Sequence, residues 1–257
     1  MINEFCRHLP ALLFAALFWL CGCSVKPGLL DGEYRHDALG HPCRSDMVLE
    51  YSGFTLGYDS SRRQALWVSY ILSGENLRHP VAARSSSFFA DPRVPDAVQP
   101  GDYRHSGYDR GHLAPAADMA YALPAMKESF YMTNISPQFP ECNRRVWLSV
   151  ENTVRTWALR EEFLYVVTGP YFAGEDERLG NSRIAIPDGF YKAVLDLTAP
   201  YKMIALLVPN QPSGGKVQFM TVDELENMSG YDFFDRLTDE LENVLEASGK
   251  RELWEDN

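Results

Sequence analysis

The sequence predicts a single α+β domain, on three observations. Segments rich in β-branched and aromatic residues recur between turn residues, as strands do. One longer stretch places its apolar residues at helical spacing. No linker or low-complexity tract divides the 257 residues, and the 46% that are hydrophobic suffice for one sizeable core. We therefore expect one domain over residues 47–240, followed by an acidic C-terminal tail, residues 241–257.

The strand segments begin after a leader and continue through the domain. Residues 47–57 and 64–71 form the first pair, joined by a turn at Asp59-Ser60. Residues 85–107 are rich in Ser, Pro, Asp and Gly and are expected to form a loop. Further strands, typical in composition of a largely buried sheet, are expected at residues 130–135, 163–168, 184–186, 190–197 and 202–209.

The best helix covers residues 143–160. At about 100° per residue, five apolar side chains share one face of it, namely Val146, Trp147, Val150, Val154 and Trp157. Asn143 lies at the start of this helix, and Glu151 and Arg155 lie along one border of the apolar face. These polar residues would therefore line a site between the helix and the sheet.

The charge of the chain is acidic but unevenly distributed. The formal net charge is −11, which by itself argues against a nucleic-acid partner because phosphate is bound by basic surfaces. Residues 222–257 hold twelve Asp and Glu against three Lys and Arg, which leaves only −2 for the rest of the chain. This acidic segment is expected to be a solvated helix or tail, so a nucleic-acid partner is not excluded.

The N-terminus has the pattern of a secretion signal. An apolar run over residues 9–20 has the length of a signal-peptide core and is too short to span a membrane. It ends in a lipobox-like pattern, which predicts a lipoprotein signal over residues 1–22 and lipidation of Cys23. An ordinary signal peptide is the alternative. Ser24 favours the outer membrane, so we expect an exported lipoprotein, anchored through Cys23 and facing the periplasm, with residues 23–46 as leader.

Two cysteines would stay unmodified after this processing. Cys43 and Cys142 could form one disulfide in an oxidising compartment, or could be two buried free thiols. Their spacing does not suit zinc. Sequence alone leaves both states open.

Two motifs carry the residues that phosphodiester hydrolysis needs. The first is Asp109-Arg110-Gly111-His112, and the second is Ser136-Pro137-Gln138 followed at fixed spacing by Asn143, Trp147, Glu151 and Arg155. His112 is the candidate base, because an imidazole can be neutral near pH 7 and accept a proton. The Asn143 amide oxygen suits hard cations such as Mg²⁺, Mn²⁺ or Ca²⁺.

Each of these residues also has an ordinary structural interpretation. His112 could be a structural hydrogen-bonding residue, and Asn143 a helix N-cap. Glu151 could hold water on a metal or pair with Arg155 four residues on. Three arginines suited to phosphate could instead be surface or ion-paired residues, namely Arg84, Arg110 and Arg155. The joint spacing, rather than any single residue, indicates a site.

With this spacing the chain resembles the sugar-non-specific DNA/RNA endonucleases, the ββα-metal nucleases of the endonuclease G type. The resemblance rests on residues 109–116 and 133–138 and continues in register through the helix to Arg155. It extends weakly to residues 221–226 and 231–234, and so covers roughly residues 50–240. It implies a central, mostly antiparallel sheet flanked by helices, with a ββα finger that holds the active site.

The resemblance also implies a role for each matching residue. His112 would be the general base, Asn143 the sole direct protein ligand of a divalent metal, and Glu151 the residue that holds metal-bound water. Arg84 would be a transition-state arginine, although its neighbours depart from the family pattern. The residues that would support phosphate, metal waters or loop geometry are Asp109, Arg110, Asn134, Gln138 and Arg155.

The resemblance implies a substrate and a cofactor as well. We expect cleavage of DNA and RNA to products with a 5′ phosphate, with Mg²⁺ as cofactor and Mn²⁺ able to replace it. A homodimer, common in this family, is left open. Two alternatives from other functional classes remain, a catalytically inactive nucleic-acid-binding relative and a phosphodiesterase that acts on a small molecule.

Overall fold

The computed structural model describes residues 29–30, 35–249 and 251–255, and these form an α+β structure around a seven-stranded sheet. The signal segment and the lipidation candidate Cys23 lie outside the described residues. In the described part of the chain, no helix is long and apolar enough to cross a membrane.

The chain contains eleven strands over its described residues. In chain order they are β1 Met47–Glu50, β2 Thr55–Asp59, β3 Gln64–Ser73, β4 Asp109–His112, β5 Ile135–Gln138, β6 Phe163–Tyr171, β7 Glu177–Leu179, β8 Ile184–Ile186, β9 Gly189–Asp196, β10 Met203–Pro209 and β11 Gln218–Met220. The central sheet has the order β1-β2-β3-β6-β9-β10-β11, and every neighbouring pair in it is antiparallel. Strands β4 and β5 form a separate antiparallel pair, as do β7 and β8.

The helices are short, apart from one. They are α1 Gly74–Arg78, α2 Leu123–Glu128, α3 Leu148–Glu161, α4 Val222–Ser229 and α5 Asp239–Glu246, with a π-helical segment at Cys142–Trp147 directly before α3. Short 3₁₀ turns lie at Pro100–Tyr103, Met132–Asn134, Gly180–Ser182 and Arg251–Trp254.

The central sheet is covered on both faces, which explains why its middle strands are apolar throughout. Successive side chains of a strand point to opposite faces, and the alternate residues of β6 enter two different cores. Leu164 and Val166 belong to the core that contains α3 and the residues just after β4, whereas Tyr165 and Val167 pack with residues of the C-terminal segment. The expected α+β architecture is therefore confirmed.

Two strand boundaries differ from the sequence-based expectation. Residues 47–57, expected as one strand, form a hairpin, because Tyr51 donates its backbone N–H to the carbonyl of Phe54 and turns the chain. The strand expected at 130–135 begins only at Ile135, after the 3₁₀ turn. Strand β4 contains the Asp-Arg-Gly-His motif itself and was not predicted as a strand.

The acidic C-terminal segment is not the tail expected for residues 241–257. Helix α5 buries Leu245 in the core on the face of the sheet opposite to α3. Trp254 is 1% exposed, and its ring centre lies 4.7 Å from that of Trp157 in α3. Lys202, directly before β10, also donates to the carbonyl of Leu253 at 3.2 Å. The apolar residues interspersed among the acids hold this segment on the domain.

The disulfide considered between Cys43 and Cys142 does not form in the structure, and both thiols are free. Cys142 is buried in the core beside α3, whereas Cys43 packs against the core on the opposite face of the sheet. Burial raises the pKa of the Cys43 thiol to about 11 and that of Cys142 to about 12, so both are protonated at neutral pH.

Candidate functional site

The first part of the site is the β4–β5 pair, which aligns the two sequence motifs. Asp109 lies opposite Gln138, and His112 lies opposite Ile135. Gly111 is required here by packing, because a Cβ at this position would lie 2.2–2.4 Å from atoms of the Gln138 side chain. The Gln138 amide is fully buried, and neither its nitrogen nor its oxygen has a hydrogen-bond partner among the described residues.

The second part is the helix expected at residues 143–160, which the structure confirms with one local change. It opens with the π-helical segment, a feature often found at functional sites. Asn143 already donates its backbone N–H to the carbonyl of Phe139 at 2.9 Å, so it lies inside the helical segment and is not its N-cap. The indole N–H of Trp147 donates to the carbonyl of His112 at 3.3 Å and ties this helix to β4.

The side chain of Asn143 is oriented by Asp109. Its amide nitrogen donates to the Asp109 carboxylate at 2.9 Å, and Arg144 donates to both oxygens of the same carboxylate at 2.7 Å. A carboxylate only accepts, so the amide nitrogen must face it and the amide oxygen of Asn143 must point away. Arg144 holds the pKa of Asp109 below its usual value despite partial burial. The hydrogen bond therefore leaves the amide oxygen free for a ligand.

His112 lies in an aromatic enclosure and is 7% exposed. Its ring centre lies 5.4 Å from that of Phe88 and 4.7 Å from that of Phe130. The Nε2 atom is buried and has no hydrogen-bond partner among the described residues. Burial, with a smaller contribution from the positive charge of Arg84, lowers the pKa of His112 to about 3. The imidazole is therefore neutral over the physiological range.

Asn134 fixes the backbone that follows His112. Its side-chain oxygen accepts from the N–H of Ala114 at 2.9 Å, and its amide nitrogen donates to the carbonyls of Ala114 and Ser129 at 2.9 Å. All these groups are buried. These hydrogen bonds hold the backbone of Ala114 to that of Ser129 through the Asn134 side chain.

Two exposed arginines border the enclosure around His112. The guanidinium of Arg84 lies 5.2 Å from the ring centre of Phe130, and that of Arg110 lies 4.6 Å from the ring centre of Phe88. In the described part of the chain, neither arginine forms an ion pair with a carboxylate. The aromatic rings support both cations through cation–π attraction and leave their N–H groups available to an anion.

A buried charge network lies beneath this border. Arg155 donates to Asp118 at 2.7 Å and to Asn152 at 2.7 Å, and Tyr70 donates to the other oxygen of Asp118 at 3.0 Å. Arg155 is therefore already committed to Asp118, and its nitrogen lies 3.8 Å from the carboxylate of Glu151. The geometry supports a positioning role for Arg155 rather than direct contact with a substrate.

Glu151 also interacts electrostatically with a lysine that was not predicted from the sequence. Lys192 of β9 is fully buried, donates to Thr168 at 3.3 Å and lies 4.9 Å from the ring centre of Trp147. Burial raises the pKa of Glu151 to about 7 and lowers that of Lys192 to about 8, while their opposite charges favour the ionised pair. The sequence did contain a signal for Lys192, because a lysine within a largely apolar strand is unusual. Asp118 has no comparable signal in the sequence.

The donors in this site fit a hard divalent cation. Asn143 offers an amide oxygen, Glu151 a carboxylate, and Gln138 a buried amide with unpartnered atoms. Oxygen donors of this kind suit Mg²⁺, Mn²⁺ or Ca²⁺, and the site has no thiolate. Asn143, held by Asp109, could offer its amide oxygen to such a cation, and Glu151 and Gln138 could bind its water ligands.

This combination of an antiparallel strand pair, a following helix and a buried histidine is that of the ββα-metal nuclease fold. Residues 37–240 match the family model described as DNA/RNA non-specific endonuclease. The chain belongs to this family, and it is a nuclease of the hydrolase class.

Similar proteins come from bacteria and mitochondria. The chain is 31% identical over 210 residues to "Nuclease" of Nostoc sp., covering 76% of this chain and 75% of that protein. It is 33% identical over 215 residues to human "Endonuclease G, mitochondrial", with 76% and 70% covered, and 30% identical over 222 residues to mouse "Nuclease EXOG, mitochondrial", of which it spans 60%.

A solved structure of the EndoG/EndoGI complex, described as showing the mechanism of EndoG inhibition, contains a similar chain. It has a TM-score of 0.66 and 27% sequence identity, and the match covers 79% of this chain and 91% of that chain. The shared fold includes most of the domain described above.

The Asp118–Arg155 pair yields a stability prediction. Asp118→Asn leaves a largely buried guanidinium without its charge partner, so we expect the free energy of unfolding to fall by about 3 kcal/mol in urea denaturation. Asp96→Asn is the matched control, because Asp96 pairs with Arg63 and its side chain is 88% exposed. Exposed ion pairs of this kind contribute about 0–1 kcal/mol to the free energy of unfolding. Equal losses in the two variants would contradict the role of the buried network.

Proposed function

We propose that this protein is a metal-dependent endonuclease that hydrolyses DNA and RNA without sequence or sugar specificity and leaves a 5′ phosphate. The observation that carries the proposal is the neutral, buried His112, whose Nε2 is unpartnered in the described structure. It lies on a strand that is hydrogen-bonded to the helix bearing Asn143 and Glu151. A free acceptor beside a cation-binding amide is what activation of water on a phosphodiester requires.

His112 acts as the general base. The Nε2 of the neutral imidazole accepts a proton from the attacking water, and the negative phosphate beside it then stabilises the imidazolium. The hydrogen bond from Trp147 to the His112 carbonyl and the packing of Phe88 and Phe130 hold the ring in place. The same enclosure keeps the ring deprotonated before substrate binds, because it disfavours the charged form.

The arginines and the amide bind the phosphate group. Arg84 and Arg110 are exposed and supported on aromatic rings, so they can donate charge-assisted hydrogen bonds to phosphate oxygens as negative charge grows. Asn143 would hold a divalent cation, Mg²⁺ with Mn²⁺ as a substitute, which when bound supplies charge neutralisation and an acidic water for the leaving oxygen. Glu151, kept in place by Arg155, would hold the water ligands of that cation.

The same set of residues accounts for the lack of sequence specificity. The groups that line the site are cations, amides and a base, and these recognise the phosphodiester, which is common to all sequences. A site that reads phosphate rather than base edges or the 2′-hydroxyl cleaves DNA and RNA alike.

We test the assignment with His112→Ala and Asn143→Ala, on supercoiled plasmid and on total RNA in Mg²⁺. Loss of the general base is expected to reduce cleavage by about 10²–10⁴-fold. Asn143→Ala is expected to reduce cleavage at low Mg²⁺ most strongly, because the cation loses its protein ligand. Chelation by EDTA should abolish the activity of the wild type.

The control is His105→Ala, which removes an exposed histidine seven residues earlier and should leave cleavage unchanged. Wild-type cleavage by His112→Ala would refute the proposed mechanism. Binding of plasmid without cleavage at high Mg²⁺ would instead indicate an inactive binding relative. Hydrolysis of an artificial phosphodiester without cleavage of DNA or RNA would indicate a small-molecule phosphodiesterase.

We further propose that the protein is exported and anchored in the outer membrane through lipidated Cys23, facing the periplasm. The residue pattern before Cys23 supports this. In a bacterial host grown with a labelled fatty acid, wild type should incorporate the label and sediment with membranes, and Cys23→Ser should do neither. Label retained in Cys23→Ser, or absent from wild type, would contradict lipidation at this residue.

A further inference from the structure

A group of carboxylates outside the active site meets between the two C-terminal helices. Asp223 and Glu226 are the second and fifth residues of α4, and Glu246 is the last residue of α5. One oxygen from each of these three side chains lies within 4.8 Å of the others. The chain just after α5 lies close to the start of α4, since a Cβ on Gly249 would lie 2.6 Å from the Cα of Thr221, the residue that precedes α4.

Glu246 is an unusual member of this group because it is buried. The residue is only 5% exposed, and its Oε1 has no hydrogen-bond partner among the described residues. Carboxylates are almost never buried to this degree without a partner. Because this oxygen belongs to a side chain aimed at Asp223 and Glu226, a ligand placed among the three would satisfy it.

The electrostatic surroundings of Glu246 also favour the binding of a cation. Glu246 ends α5, where the peptide dipoles leave partial negative charge, and an acidic residue is unfavourable there. Burial and the neighbouring carboxylates of Glu226, Glu242, Asp223 and Asp232 raise the pKa of Glu246 to about 8. In the described part of the chain no basic side chain forms an ion pair with any of these residues.

We propose that Asp223, Glu226 and Glu246 form a Ca²⁺ site, separate from the active site, which joins α4 to α5. Carboxylate oxygens are the ligands of hard cations, and three of them supply enough charge to hold a divalent ion. Ca²⁺ is favoured over Mg²⁺ because it accepts several carboxylates in a flexible geometry, whereas Mg²⁺ demands near-ideal octahedral geometry and usually keeps several of its water ligands.

The site would have a structural consequence. Glu226 also accepts the backbone N–H of Phe233 at 2.7 Å, so a cation held there connects α4, the loop after it and the end of α5. Phe233 and Leu245 from these segments are buried against the sheet face opposite to α3. Ca²⁺ would therefore stabilise the packing of the acidic segment on the domain without contacting substrate.

The test uses the full-length protein with Asn143→Ala, so that no cation binds through the active-site amide. Calorimetric titration with CaCl₂ should show one site with a Kd of roughly 10⁻⁵–10⁻³ M. Tm should rise by roughly 4–8 °C when free Ca²⁺ exceeds the Kd about thirty-fold. Because binding is measured without cleavage, the result is independent of the proposed nuclease mechanism.

Adding Glu226→Gln and Glu246→Gln should abolish the heat of binding and reduce the Tm shift below about 1 °C. The matched control is Glu240→Gln, an exposed carboxylate of α5 outside the group, which should respond as the Asn143→Ala chain does. In the chain with Asn143 intact, the two glutamine substitutions should leave nuclease activity within about twofold, which shows that the variant folds. Absence of Ca²⁺ binding in the Asn143→Ala chain, or undiminished binding in the glutamine variant, would overturn the proposal.

Discussion

The site depends on the contact between strand β4 and the π-helical segment Cys142–Trp147. Trp147 donates to the carbonyl of His112, and Asn143 and Arg144 donate to the carboxylate of Asp109. Each of these hydrogen bonds joins one motif to the other across about thirty-five residues of chain. Because the bonds lie at the two ends of the Asp-Arg-Gly-His strand, they fix the positions of both His112 and Asn143. The enclosure, the arginines and the buried network then define what surrounds those two groups.

The exposed cations of the site lie apart from the acidic helices α4 and α5. The face that carries α3 and the β4–β5 pair presents Arg84 and Arg110, exposed and supported on phenylalanine rings. Helices α4 and α5 of the acidic segment pack against the other face, whereas Trp254 after them packs with Trp157 of α3. A formal net charge of −11 is therefore compatible with phosphate binding. Salt screens charges that are far from the site, so the charges close to it decide whether phosphate is attracted.

Sequence could predict the parts of this structure that depend on periodicity and spacing. The long helix, the buried strands and the grouping of His112, Asn143 and Glu151 belong to that category. Features that depend on tertiary packing were missed, namely the π-helical segment, the strand containing His112, the pairing of Arg155 with Asp118 and the position of Lys192. The acidic segment was expected to be solvated because its composition is dominated by charge. Its apolar residues are widely spaced and do not form a pattern that predicts burial. Cys43 and Cys142 lie on opposite faces of the sheet, which residue counting cannot show.

The central claim is that the fold keeps His112 neutral by burying it, so that it serves as a base. The direct measurement is the titration of His112 by NMR in protein labelled at its six histidines, with His112→Gln to assign the signal. The signal should keep neutral-imidazole shifts down to about pH 5, since burial and Arg84 lower its pKa to about 3. Protonation with a midpoint near the ordinary value of 6.5 would contradict the account.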